Sequence, residues 1–209
     1  GYKIKTSGFI LATKNSSPDE IGDEPCQIKQ KFPQITVAVD EKRVHGIKTL
    51  MKQDEKIDVI LLDDAFQHRY VKPGLSILLM DYNRPPKEDF LLPAGSLRES
   101  FSARNRAGMI LVTKTPETIK AMEMRLLAKE FKPDPFQHLF FTTMRAEALK
   151  PVFSDHKSIQ IGKIVKHRPE ILLVSGIASP RHVKRMARKL SPKITEMTFP
   201  DHHDYNQRD

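Results

Sequence analysis

The sequence predicts an α/β protein built on a parallel sheet, and two observations carry that reading. Apolar runs of strand length recur at residues 35–39, 59–62, 75–80, 109–112, 139–141 and 171–174, and several of them are separated by segments with helical spacing. The runs are continuous rather than alternating, which is the pattern of strands covered on both faces. Between the first two runs, Val44, Ile47, Leu50 and Met51 share one helical face. The third run leads to Asp81 and then to Asn83-Arg84-Pro85-Pro86-Lys87, a loop because proline removes donors and fixes φ. After Pro116, Ile119, Met122 and Leu126 form a second helical face, and the two prolines in residues 132–135 end it. Residues 151–168 read as short strands or turns without a helical period. The last helix has Ser179 as cap, Pro180 at its first position and Val183, Met186, Ala187 and Leu190 on one side. Its other side carries Arg181, Lys184, Arg185, Arg188 and Lys189. A boundary near residue 150 divides a core region, 1–150, from a C-terminal portion, 151–209.

Composition limits the function classes. Hydrophobic residues at 39% and charged residues at 29% can bury a core, which excludes a disordered polyelectrolyte, and no apolar run is long enough to span a bilayer. The single cysteine, Cys26, forms no internal disulfide and points to a reducing compartment. Residues 1–100 are electrically neutral, so the whole net charge of +9 lies in residues 101–209. Such an asymmetry suits an anionic partner, whether nucleotide, nucleic acid or lipid surface, and equally a solvated surface. The chain starts at Gly1 without a recognisable targeting segment, and is expected to begin inside a longer protein.

The chemistry concentrates in a few motifs. Ile57-Asp58-Val59-Ile60-Leu61-Leu62-Asp63-Asp64 reads as a strand that delivers two carboxylates to the carboxyl edge of a sheet, where open α/β proteins bind ligands. Carboxylate oxygens there suit Mg²⁺, a hard cation, although aspartates after a strand also serve as helix caps. Gln67, His68 and Arg69 follow, all able to meet phosphate or substrate oxygens. Gly22-Asp23-Glu24-Pro25 places acids at a helix start, as caps or as a general base facing a ligand. Phe199-Pro200-Asp201-His202-His203-Asp204-Tyr205 could ligate a metal, orient a catalytic histidine or be a solvated tail. Leu92-Pro93-Ala94-Gly95-Ser96-Leu97-Arg98-Glu99 leads into Arg104 and Arg106, whose guanidinium groups can grip phosphate bidentately. Val112-Thr113-Lys114-Thr115-Pro116 ends a strand in a lysine, and Ser175-Gly176-Ile177-Ala178-Ser179-Pro180 turns a strand into the basic helix. No Gly-x-x-x-x-Gly-Lys-Ser/Thr run occurs in the 209 residues.

Taken in order, Gly22-Asp23-Glu24-Pro25, Asp63-Asp64-Ala65-Phe66-Gln67-His68-Arg69, the Leu92 to Glu99 run, the Ser175 to Pro180 turn and Phe199-Pro200-Asp201-His202-His203 resemble the tetraacyldisaccharide 4'-kinase family of the lipid A pathway. The resemblance runs from residue 1 to residue 209 and implies a parallel-sheet, P-loop-kinase-like, three-layer α/β fold, truncated at both ends. It further implies ATP and Mg²⁺ as cofactors and a lipid disaccharide as substrate, phosphorylated on its 4' hydroxyl. The implied location is the cytoplasmic face of the bacterial inner membrane, with peripheral attachment and no nucleic-acid partner. Position by position, Asp23 would be the catalytic base and His202 its partner. Asp63 would be the Mg²⁺ ligand, with Asp64 and Glu24 close to the metal or substrate. His68, Arg98 and Glu99 would line the nucleotide and sugar-phosphate site; Lys114 is read as a nucleotide contact from its strand-end position and not from the resemblance. Ala65 stands where many members have Gly, at little cost if its φ is negative, and Ser100 replaces a proline common after Leu-Arg-Glu. The family's phosphate-cradling loop is expected before Gly1, which would leave these residues inactive alone.

Three rival readings start from the same residues. Another P-loop NTPase would share the strand-ending Asp and Lys114, but a guanine reader needs an Asp two residues after that lysine, where Pro116 stands. A metal-dependent phosphoesterase would use Asp63, Asp64, His202 and His203. A nucleic-acid-binding module would use the +9 charge, but residues 181–190 interleave no aromatic residue with their cations.

Overall fold

Strand pairing in this chain is mostly parallel, in short sheets assembled from segments far apart in sequence. The structure, a computed structural model, describes residues 7–84, 89–95, 97–145, 148–151, 157–177, 180–201, 203 and 205. It divides into two units, residues 1–142 and 143–209.

The first unit opens with β1 (Ile10–Leu11), α1 (Pro18–Ile21), α2 (Asp23–Lys31) and β2 (Ala38–Val39), with β1 and β2 paired antiparallel. Pro18 takes the first helical position of α1, where its missing N–H costs nothing, and the Glu20 carboxylate accepts from the Ser17 N–H at 3.0 Å. Ile21 and Cys26 are buried with Ala12 in a small core between these elements. The helix α3 (Arg43–Gln53) follows and contains Val44, Ile47, Leu50 and Met51, the residues whose spacing predicts a helix here.

The framework of the unit is β3 (Ile77–Asp81), β4 (Met109–Thr113) and β5 (His138–Phe141), a parallel sheet in the order β3-β4-β5 with β4 central. Ile110 and Val112 of β4 are fully buried and pack with Met80, Ala107 and Phe131, the last from α4 (Ala121–Phe131). The opposite sheet face is open: Leu79 is 64% exposed and its neighbour across β4, Phe140, 47%. A 3₁₀ helix, Phe101–Arg106, leads into β4. Gln137 fastens it by donating from Nε2 to the carbonyls of Arg104 and Ala107, at 2.8 and 2.7 Å.

The second unit holds β6 (Ala148–Leu149) antiparallel to β7 (Ile159–Gln160), then α5 (Ile161–His167), β8 (Ile171–Ser175), α6 (Arg181–Leu190) and β9 (Ile194–Thr198). β8 and β9 pair in parallel through five register positions, with α6 as the crossover. Ala187 buries the apolar side of α6, and both α5 and β8 pack against this helix.

Three expectations are corrected. Residues 59–62 are not a strand: they are irregular, and Val59 and Leu61 are 73% and 89% exposed. An apolar run becomes a strand only when neighbours supply a ladder and a covering layer, and among the described residues no strand pairs with this one. Residues 161–167, read as lacking helical period, form α5 around buried Ile164. Pro180 is the cap of α6, one residue before its first helical residue, with helical φ −74 and ψ −8 and a carbonyl that accepts from the Lys184 N–H at 2.9 Å; Ser179 lies outside the described residues.

One-sided burial sets the stability contrast. Ile110→Ala is expected to cost about 2–5 kcal/mol in urea unfolding, the usual range for deleting a buried aliphatic side chain, whereas Leu79→Ser should stay within about 0.5 kcal/mol. Equal losses at the two positions would mean that the open face is covered in solution.

Candidate functional site

At the carboxyl ends of β3 and β4, Lys114 Nζ donates to Asp81 Oδ2 at 2.6 Å. The Asn83 backbone N–H and side-chain amide donate to Asp81 Oδ1 at 2.9 and 3.1 Å. Burial pushes the Asp81 carboxyl up, but the hydrogen bonds from Lys114 and Asn83 outweigh it and hold the group below its ordinary value of 3.8. Lys114 has φ 56, a left-handed conformation uncommon outside Gly, Asn and Asp, and it turns the chain out of the strand so that the lysine reaches across to the neighbouring strand end.

A second charged network ties the 63–69 loop to residues 98–106, the segment that leads into the amino end of β4. Arg98 Nη1 lies 3.2 Å from Asp64 Oδ2, an ion pair that joins two motifs 34 residues apart. Glu99 accepts from Arg106 Nη2 at 2.6 Å and has Arg69 Nη2 at 3.7 Å from its other oxygen. Arg106 also donates to the Phe66 carbonyl at 3.1 Å and lies over the Phe66 ring at 4.7 Å, so the 63–69 loop is held through a guanidinium group. Asp64, at φ 42, takes the left-handed turn, while Ala65 has no positive φ and alanine there costs no strain. Asp63 Oδ1 accepts from the Asp64 N–H at 3.0 Å. His68 Nε2 is buried and has no hydrogen-bond partner among the described residues. A Cβ on Gly95 would collide with the Phe90 backbone, so this loop needs glycine for close approach.

Asp23 and Glu24 stand in the first turn of α2, directly after Gly22, which has φ 93. Their charges complement the helix dipole. Among the described residues no three His, Cys, Asp or Glu side chains group as a metal site, so Asp63, Asp64 and Glu24 are not brought into one such cluster. His202 lies outside the described residues. In the second unit, Phe199 stacks on His203 at 4.5 Å and meets Tyr205 edge-on at 5.1 Å, and the Tyr205 hydroxyl lies so close to Gly176 that a Cβ there would stand 2.6 Å from it.

Sequence reading passed over Asp81 as a partner for Lys114, although its place at a strand end was visible. It also passed over Asp40, a buried carboxylate 2.6 Å from His45 Nδ1 and held below its ordinary value: burial raises it, and the bonds from His45 and the Lys42 N–H outweigh that.

A three-stranded parallel sheet with helices between its strands and a lysine–aspartate pair at its carboxyl edge defines a mixed α/β protein, consistent with a P-loop-kinase-like fold. The sequence model of the family described as tetraacyldisaccharide-1-P 4'-kinase matches residues 1–209. The chain belongs to that family. It is 46% identical to the tetraacyldisaccharide 4'-kinase of Bacteroides thetaiotaomicron and 46% identical to that of Phocaeicola vulgatus, in each case over all of this chain and 57% of the relative. A protein of the same name from Flavobacterium johnsoniae is 40% identical over all of the chain and 60% of the relative. The chain thus spans a little over half the length of the curated relatives it matches. No solved structure matches it.

The Asp81 carboxyl binds its proton more weakly when folded, so its contribution to stability is complete above pH 3.8 and is lost as the pH falls through the lowered folded value. Lys114→Met should cost up to about 1 kcal/mol at pH 7, a small figure because both groups are partly exposed. The gap in urea midpoint between parent and variant should narrow towards pH 3. A gap of constant size from pH 7 to pH 3 would show that the ion pair is not its source.

Proposed function

We propose that the full-length protein transfers the γ-phosphoryl group of ATP to the 4' hydroxyl of a tetraacylated glucosamine disaccharide 1-phosphate. The observation that carries this reading is the family match along all 209 residues, to relatives whose name is that activity. The activity is assigned to a chain as long as those relatives, because no phosphate-cradling Gly-x-x-x-x-Gly-Lys-Ser/Thr run occurs in these residues. The fold in that full chain is a three-layer α/β sandwich, a reading supported by the parallel order of β3, β4 and β5. The enzyme works at the cytoplasmic face of the inner membrane as a peripheral protein. No helix among the described residues is long and apolar enough to cross a membrane.

Asp23 is the base that takes the proton of the attacking hydroxyl, and His202 holds or shares that proton. A carboxylate alone is a weak base for an alcohol, and a histidine partner raises its competence. Asp63 and Asp64 supply hard carboxylate oxygens. Asp64 is already paired with Arg98, so Asp63 is the freer ligand. One or two carboxylates with phosphate oxygens and water fit Mg²⁺, which is seldom caged by protein alone. Bound there, Mg²⁺ would neutralise charge on the transferring phosphoryl group. Glu24 stands beside Asp23 and acts near the metal or substrate. Arg98 and Glu99 set the loop that faces the phosphates, and Lys114 holds the nucleotide side of the site. His68 completes the set: its buried, unpartnered Nε2 is an atom that a substrate oxygen would satisfy.

The test uses full-length protein with ATP, Mg²⁺ and the lipid disaccharide. Asp23→Ala and His202→Ala should each lower kcat by at least about 100-fold, the scale of lost acid–base catalysis, with folding retained by circular dichroism. A folded parent without turnover would overturn the reading, and full activity in both variants would overturn the dyad.

A further inference from the structure

The +9 charge is not spread over the second half of the chain. Residues 163–193 hold nine Lys and Arg against the single carboxylate of Glu170, so this stretch alone accounts for a net +8. It comprises α5, β8, α6 and the turn into β9, all within the second unit.

Ordinary folding demands explain only part of this charge. Lys166 in α5 and Arg188 and Lys189 in α6 sit in last turns, where cations complement the helix dipole. Lys184 and Arg188 are tied to Glu196 of β9, at 2.8 and 3.2 Å, and so fasten the helix to its sheet. Lys163 and Arg181 are different. They occupy first turns that contain no acidic residue, where a cation opposes the dipole and weakens the helix. Arg185 is exposed, and neither it nor Lys189 has a carboxylate partner among the described residues. A fold that keeps uncompensated cations where they destabilise its own helices is expected to gain from an anion outside it.

The shape of the surface narrows the partner. Between the C-terminal ends of α5 and α6 lies a cavity of about 220 Å³, with Arg168, Arg188 and Lys189 as its charged lining and Val165 and Leu190 as its apolar lining. Val165 is 41% exposed among these cations. Residues 161–193 contain no Phe, Tyr or Trp, the large stacking platforms of single-strand binders, which disfavours single-stranded nucleic acid. A cationic face with an apolar side chain at its centre and a headgroup-sized recess suits a bilayer interface.

We propose that the α5–α6 face of the second unit docks on an anionic bilayer, its arginines and lysines meeting headgroup phosphates. The choice of a lipid partner rests on the reading of the substrate as a membrane lipid. Docking here would hold the protein on the surface from which its substrate is drawn.

The test is sedimentation with vesicles of 30% phosphatidylglycerol in phosphatidylcholine, against vesicles of phosphatidylcholine alone. Full-length protein should bind the anionic vesicles more tightly, with a preference that falls as salt rises. Arg185→Gln with Lys189→Gln should lower that partitioning about 30-fold, near fivefold per cation. The same variant should phosphorylate detergent-dispersed disaccharide at the parent rate, so loss of docking and failure of the kinase reading give separate signals. Equal binding to both vesicle types, or unchanged partitioning in the variant, would overturn the proposal. Tighter binding to a DNA duplex than to the anionic vesicles at the same salt would replace it with a nucleic-acid surface.

Discussion

The first unit depends on the parallel ladder of β4 with its two neighbours. A parallel strand cannot pair with the segment next to it in sequence, so each rung joins residues about thirty positions apart, as Val112 joins Met80 and Phe141. Those rungs bring Met80, Ile110 and Val112 onto one face, where Phe131 of α4 and Ala107 close over them. The same register sets the ends of β3 and β4 side by side, and this alone puts Asp81 within reach of Lys114. Burial of the apolar face and placement of the charged edge are therefore one event. A slip of one residue would turn the buried set outward and part the ion pair together.

The loop network is built from a different material. Its positions are fixed by guanidinium groups: Arg106 holds Glu99, the Phe66 carbonyl and the Phe66 ring, and Arg98 holds Asp64. Each of these pairs is exposed enough to contribute little to global stability. What they supply is orientation, because a planar fork with five donors restricts its partners more than a lysine does. Loops set in this way can change partners when an anion arrives, since both Arg98 and Arg106 can exchange a carboxylate for a phosphate of similar geometry.

Much of this was legible in the sequence where one periodicity dominates. Continuous apolar runs marked β3, β4, β5 and β8, and the three-and-four spacing marked α3, α4 and α6. The run at residues 59–62 had the same local signal as β4 but no ladder, which shows that such runs report hydrophobicity and not strand pairing. β9 escaped because Thr195 and Glu196 interrupt its apolar residues, and α5 because Gly162 and three basic residues dilute its single buried position, Ile164. In the site, the motifs were visible and their partners were not. Nothing local in Asp64 specifies Arg98, or in Lys114 specifies Asp81, because those pairs are products of register and loop closure across more than thirty residues.

Charge in the second unit obeys a third logic. In the first unit, the cations of the loop network and of the sheet edge have carboxylate partners, and the charge is consumed within the fold. Among the described residues, only Lys184 and Arg188 of α5 and α6 are consumed in this way, by one glutamate of β9. The sheet side of α6 is thereby settled by apolar packing and two ion pairs, which leaves its outer side unconstrained by the core. Sequence on such a side is shaped by solubility alone unless a partner is present, and solubility asks for mixed signs. A run of one sign, extended into helix first turns where it is unfavourable, is the record of a constraint that lies outside the fold.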